Sequence, residues 1–187
     1  MNIDASVSLT DLITAIAAAG GLIVAILGLS TWRKQLHGTY EYDLARRLML
    51  EVYQLRDALR STRNPFLSAS EADEDDTEDT WEVSTYSKRW ESVREVINQF
   101  KITSLEAEVV WDDATKQLNK NMDRLIRELY GALNAFARMK KNKSFAEDFY
   151  KNYDDIIYDK GDSDRYNTSL NEVVKGYENA LKPHLKK

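Results

Sequence analysis

The sequence of 187 residues contains no cysteine, two prolines and seven glycines. The absence of cysteine excludes a disulfide framework and thiolate catalysis, and it agrees with a reducing compartment. Because proline and glycine are scarce while leucine, alanine, glutamate, lysine and arginine are abundant, the composition favours an all-helical protein.

Charge is absent from one long stretch near the N-terminus. Residues Leu12 to Trp32 read LITAIAAAGGLIVAILGLSTW, and these 21 positions carry no ionisable side chain. A helix of this length covers about 30 Å, the thickness of a bilayer's hydrocarbon core. The sequence therefore predicts a transmembrane helix over 12–32, an external tail over 1–11 and a cytoplasmic helical domain over 33–187.

Two other interpretations of this stretch are a cleaved signal peptide and a buried core helix. A signal peptide begins with basic residues and has a shorter apolar core. Here the residues before the stretch include Asp4 and Asp11 but no lysine or arginine. The length and the flanking charges favour a retained span.

Basic residues predict the orientation of the span. The first basic residue of the chain is Arg33, followed closely by Lys34, Arg46 and Arg47. Since basic residues are retained on the cytoplasmic side, we expect the N-terminus outside and everything after Trp32 in the cytoplasm. Trp32, Arg33 and Lys34 are the predicted anchors at the membrane interface, where an indole ring lies at headgroup level.

Small residues recur within the span at alternating steps of four and three. Small side chains let two helix backbones approach closely in lipid, where packing drives association. The pattern predicts a seam for homo-oligomerisation, although an alanine- and glycine-rich span also produces such patterns by chance. The seam residues are Thr14, Ala18, Gly21, Ala25 and Gly28.

Four apolar faces follow the span, each with helical spacing. They predict a bundle of amphipathic helices joined by short connections. The first face either extends a coiled-coil-like contact below the membrane or packs on later helices of the same chain, and the second alternative is favoured. The faces are Leu36, Tyr40, Leu44, Leu48, Val52, Leu55 and Leu59; Tyr86, Trp90, Val93 and Ile97, with Val96 and Phe100 alongside; Leu118, Met122, Leu125, Leu129, Leu133 and Phe136; and Leu170, Val173, Tyr177 and Leu181.

Local signals predict where these helices begin and end. Pro65 should end the first helix, and Pro183 should end the last. The segment from Thr103 to Glu106 has the capping-box pattern, which predicts the start of a long helix reaching about Lys143. A second capping box spans residues 144–147, ahead of a short helix.

Acidic residues are concentrated in one segment, 71–79, where seven of nine side chains are carboxylates. The whole chain carries a net charge of −5, but residues 33–187 without that segment would carry +4. We expect a mobile acidic loop at about 66–80, either a solvated connector, which is favoured, or a binding site for a basic partner or a divalent cation. The remaining positive charge is too small and too dispersed to indicate nucleic-acid binding.

No catalytic, cofactor-binding or metal-binding residue is predicted. The two histidines are His37 and His184, and we expect neither to have a carboxylate one turn along its helix that would form a metal pair. Neither a phosphate-binding glycine loop nor a nucleophile elbow occurs. The sequence therefore favours a protein without enzymatic activity.

Three segments near the membrane carry a resemblance: the junction 32–36 (WRKQL), the segment 42–47 (YDLARR) and the segment 63–66 (RNPF). They resemble bacterial single-span membrane proteins with a helical cytoplasmic domain. The layout is also similar to the membrane accessory proteins of RNA-targeting CRISPR systems. That resemblance implies a helical protein that oligomerises in the membrane and supports antiviral defence.

The leading hypothesis is a single-pass inner-membrane protein that contacts lipid, associates with itself and binds an unknown cytoplasmic protein partner. One alternative is an oligomeric pore or effector in antiviral defence. A further alternative is a membrane-tethered, degenerate RNA-binding domain resembling the HEPN ribonucleases. Active ribonucleases of that type have a catalytic arginine and histidine with a longer spacer between them than the three residues that separate Arg33 from His37. An active enzyme is therefore disfavoured.

Overall fold

The computed structural model describes residues 9–66, 68, 80–111, 113–141, 153–162 and 164–185, and every regular element in these ranges is a helix. This agrees with the predicted all-α class. Helix α1 spans Leu9–Thr62, α2 spans Trp81–Trp111, α3 spans Asp113–Lys141, α4 is a short helix at 153–157, and α5 spans Arg165–Leu185.

The chain divides into two units, Met1–Tyr42 and Asp43–Lys187. The described part of the first unit is entirely helical, and it contains the apolar stretch predicted to span the membrane. The second unit contains the rest of α1 and the four later helices, and we refer to it as the bundle.

Contacts between side chains establish the arrangement of the bundle. On α2 and α3, Trp90 stacks with Tyr130 and Tyr86 meets Phe136, so these neighbours run antiparallel. Between α1 and α2, Thr103 contacts Glu51 and Arg47 contacts Glu106. Between α3 and α5, Tyr166 contacts Leu125 and Tyr177 contacts Asn119. Both of these pairs of helices therefore also run antiparallel. Together with Tyr53 of α1 donating to Glu178 of α5, these contacts describe an up-and-down four-helix bundle.

The core of the bundle consists mainly of the predicted apolar faces. On the α1 face, Leu44 and the four apolar positions after it are buried, whereas Leu36 and Tyr40 in the other unit are exposed. Most of this face therefore packs on later helices of the same chain, as favoured from the sequence. On the other three faces, every predicted residue is buried except Trp90, Val96 and Leu118, which pack partly buried against the core.

The predicted capping box at Thr103 is wrong, because α2 continues through it to Trp111. The Thr103 hydroxyl donates to Glu51 Oε1 on α1 at 2.9 Å, so the side chain serves a contact between helices. The next helix begins only at Asp113. The second capping box and nearly all of the acidic loop lie outside the described residues.

The two predicted proline stops have different outcomes. Helix α1 ends at Thr62, shortly before Pro65, as expected. Pro183 does not end α5, which continues to Leu185. A proline in the last turn removes only one backbone donor, and the buried Leu181 and partly buried Leu185 still pack on either side of it.

Candidate functional sites in the apolar helix and in the bundle

The most exposed apolar surface of the described chain lies on the N-terminal half of α1. Every residue from 11 to 40 is exposed, including Leu22, Ile23 and Val24 at 63%, 58% and 70%. By length and composition, α1 is the one helix among the described residues that could cross a membrane. A helix that is apolar on all sides is typical of a segment surrounded by protein or by lipid.

The predicted seam lies on one side of this helix. At 3.6 residues per turn, Thr14, Ala18, Gly21, Ala25 and Gly28 fall within an arc of about 80°. A Cβ atom placed on either seam glycine would meet no atom within 4 Å. The stripe therefore leaves room for the backbone of another helix.

The predicted interface anchors lie at the C-terminal end of the apolar stretch. Trp32 is 57% exposed, and Arg33 and Lys34 are exposed beside it. Just before them, the Ser30 and Thr31 hydroxyls both donate to the backbone oxygen of Leu27 at 2.9 Å. These hydroxyls are thus satisfied within the helix and present little polarity to a partner or a channel.

One expectation about the histidines is wrong. His37 Nε2 lies 3.0 Å from Glu41 Oε1, one turn along α1, so this histidine has a carboxylate partner. A single histidine–carboxylate pair supplies two ligands, fewer than a structural or catalytic zinc site uses. Within the described ranges, no group of three or more histidine, cysteine, aspartate or glutamate side chains is arranged to hold a metal ion. The other histidine, His184, lies with its ring 4.6 Å from the Trp111 ring.

The bundle contains a fully buried cation that the sequence analysis did not identify. The Arg63 side chain has no exposed surface, and it pairs with Asp164, whose side chain is 2% exposed. Its Nε donates to the Ile156 carbonyl at 2.7 Å, and Nη1 donates to the Asn167 side chain. Nη2 donates to Asp164 and to the carbonyls of residues 155 and 158.

Arg63 holds together the ends of three helices. The residue follows the last turn of α1, and its carbonyl partners belong to α4 and the residue after it. Asp164 caps α5, since its Oδ1 accepts from the Asn167 amide at 2.6 Å. The guanidinium also lies 4.4 Å from the centre of the Tyr166 ring, and burial raises the pKa of that phenol. Because every partner is internal, the arrangement is structural.

A half-buried polar group joins α1 to α2. Glu51 accepts from Thr103 through Oε1, while its buried Oε2 has no hydrogen-bond partner among the described residues. Burial, which disfavours the charged carboxylate, raises the pKa of Glu51, and the Thr103 hydrogen bond and the Arg47 charge oppose this only partly.

A raised pKa in the fold means that ionised Glu51 destabilises the bundle. Its stabilising contribution is complete below the pKa of the unfolded chain, and it is lost as pH rises through the folded pKa. Glu51→Gln keeps the acceptor for Thr103 and cannot ionise. We expect its urea midpoint, relative to the native chain, to increase between pH 4 and pH 7. Glu172→Gln at an exposed position is the matched control, and an equal trend in both variants would contradict this assignment.

No protein-family model, no curated protein and no solved structure matches this chain.

Proposed function

We propose that this chain is a single-span membrane protein that associates with itself through the span and carries a helical bundle as a binding head. The observation that carries the proposal is the exposure of every residue from 12 to 32, a stretch that carries no charge and is apolar around the whole helix. Exposed apolar surface of this extent is not stable in water, whereas a bilayer solvates it.

The seam supports self-association. Its five members are small, share one side of α1, and leave open space at both of their glycines. In lipid, where burying apolar surface gives no advantage, close backbone approach is what favours helix pairing. A second copy of the same helix presents the same stripe, so a symmetric contact is available to it.

Orientation follows from charge. The exposed basic residues Arg33, Lys34, Arg46 and Arg47 all lie on the C-terminal side of the apolar stretch. The proposal therefore places the bundle in the cytoplasm and the residues before the stretch outside.

A wide aqueous pore receives less support than a packed oligomer. The polar residues of the stretch are Thr14, Ser30 and Thr31, and the last two donate to the backbone of their own helix. A water-filled channel needs a polar or charged lining. Leakage of a dye from vesicles that contain the purified protein would favour the pore over the packed oligomer.

The seam is tested by enlarging its glycines. Gly21→Leu with Gly28→Leu should convert the oligomer to a monomer, because the added side chains separate the backbones. Light scattering of the full-length protein in a mild detergent measures the mass. Gly20→Leu is the matched control, since Gly20 lies about 120° from the centre of the stripe and its variant should keep the native mass.

Two outcomes would contradict self-association through this seam. One is a native protein that is already monomeric at every detergent concentration. The other is a double variant whose mass equals that of the native protein and of the Gly20→Leu control.

A further inference from the structure

A groove of about 610 Å³ lies on the bundle between α2 and α3. Its floor is apolar and includes the buried residues Ile97, Ile126 and Phe136. This volume falls within the range of small-molecule sites, which combine apolar walls with a few polar groups that fix orientation. All residues lining the groove belong to described parts of the bundle.

An aromatic pair forms one section of the groove. The rings of Trp90 on α2 and Tyr130 on α3 stack with centroids 5.2 Å apart and an interplanar angle of 26°. Tyr130 is 50% exposed, although core aromatics of this bundle such as Tyr86, Tyr166 and Tyr177 are buried. The pair therefore offers a π-surface to a planar ligand.

Two arginines lie beside this pair. Arg94 is four residues after Trp90 and Arg127 is three residues before Tyr130, and both line the groove. Because α2 and α3 run antiparallel, the two arginines lie on the same side of the aromatic pair, about one turn or 5 Å away along the helices. They thus lie at the same level of the groove, one on each of the two helices.

Both guanidinium groups are available to a ligand. Arg94 and Arg127 are exposed, and neither has an ion-pair partner among the described residues. Lys101 also lines the groove but lies 3.7 Å from Asp123, and Glu91 is the acidic residue of the lining. With Lys101 offset by Asp123, these two arginines against the single lining carboxylate Glu91 still make the groove complementary to an anion.

We propose that this groove binds a nucleoside diphosphate, with the base on the Trp90–Tyr130 pair and the phosphates between Arg94 and Arg127. A planar ring joined to a compact double anion matches a π-surface one turn from two guanidinium groups, which bind phosphate oxygens in pairs. The amide side chains of Asn98 and Asn134 also line the groove, and they can bond the polar edges of the ligand. This ligand is additional to the self-association proposed above and does not depend on it.

Calorimetric titration of the full-length protein in non-ionic detergent tests the site. The probes are ADP, GDP, CDP and UDP, with inorganic phosphate and adenosine as partial ligands. We expect at least one diphosphate to bind saturably and more weakly at 0.5 M than at 0.1 M salt, and both partial ligands to bind at least tenfold more weakly. Arg94→Ala, Arg127→Ala and Tyr130→Leu should each weaken binding about tenfold or more.

Arg124→Ala is the matched control, since this exposed arginine lies one turn from Arg127 on α3 and does not line the groove. Its affinity should stay within twofold of the native value, and circular dichroism should show that all four variants are folded. Binding of phosphate as tight as that of the diphosphate would overturn the role of the aromatic pair. The proposal would be overturned if no diphosphate bound. It would also be overturned if the groove substitutions left the affinity for the diphosphate unchanged.

Discussion

Arg63→Met is expected to lower the free energy of unfolding of the bundle by about 3–5 kcal/mol, because it leaves the buried Asp164 carboxylate without its cation. The methionine retains an aliphatic stem, so the loss reports mainly the guanidinium. The three backbone carbonyls that Arg63 served would also lose a donor. Since whole domains are stable by about 5–15 kcal/mol, this single change removes a large part of the total.

The measurement is urea unfolding of the full-length protein in non-ionic detergent, followed by tryptophan fluorescence. Arg60→Met is the matched control on the same helix. Arg60 pairs with Asp159 and Asp162 at the surface, and its side chain is 35% exposed, so its loss should cost less than about 1 kcal/mol. An equal loss of unfolding free energy in the two variants would contradict the prediction that the buried ion pair of Arg63 stabilises the bundle more than the surface pairs of Arg60 do.

Leu22→Lys combined with Ile26→Lys should release the protein from the membrane. Both side chains are exposed on the apolar half of α1, at 63% and 59%. A lysine near the centre of a span costs about 2.5–3.5 kcal/mol on an insertion scale, so two of them cost about 5–7 kcal/mol. We expect the native protein to stay in the membrane pellet after an alkaline carbonate wash and the double variant to leave it.

Leu50→Lys controls for added charge alone. Leu50 is equally apolar and 50% exposed, but it belongs to the part of α1 in the bundle. Its variant should remain in the pellet. A native protein that stays in solution without detergent, or a double variant that resists extraction as well as the native protein, would overturn the membrane span.

The apolar faces were predictable because helical periodicity is a local property. Val93, Ile97 and Phe100 recur at three and four residues, and any helix that forms there must bring them to one face. The end of α1 was predictable for a similar reason, since Pro65 restricts its neighbours wherever the chain folds.

Helix ends that depend on distant partners were not predictable. The Thr103 hydroxyl fits a capping box in the sequence, but the bundle places Glu51 within 2.9 Å of it and leaves α2 continuous. Likewise, Trp90 was expected in the core with the rest of its face. Its stacking on Tyr130 depends on how α2 and α3 align, which no local pattern specifies.

The sequence by itself determined an all-helical chain with an apolar stretch long enough for a bilayer. Both features depend only on residues that are close together in the chain. Tertiary structure alone decided the buried role of Arg63, whose partners lie about a hundred residues later in the chain. It also decided the groove, because two helices must pack antiparallel before Arg94 and Arg127 can line the same part of it. Contacts between residues far apart in sequence have no local signature, and only packing creates them.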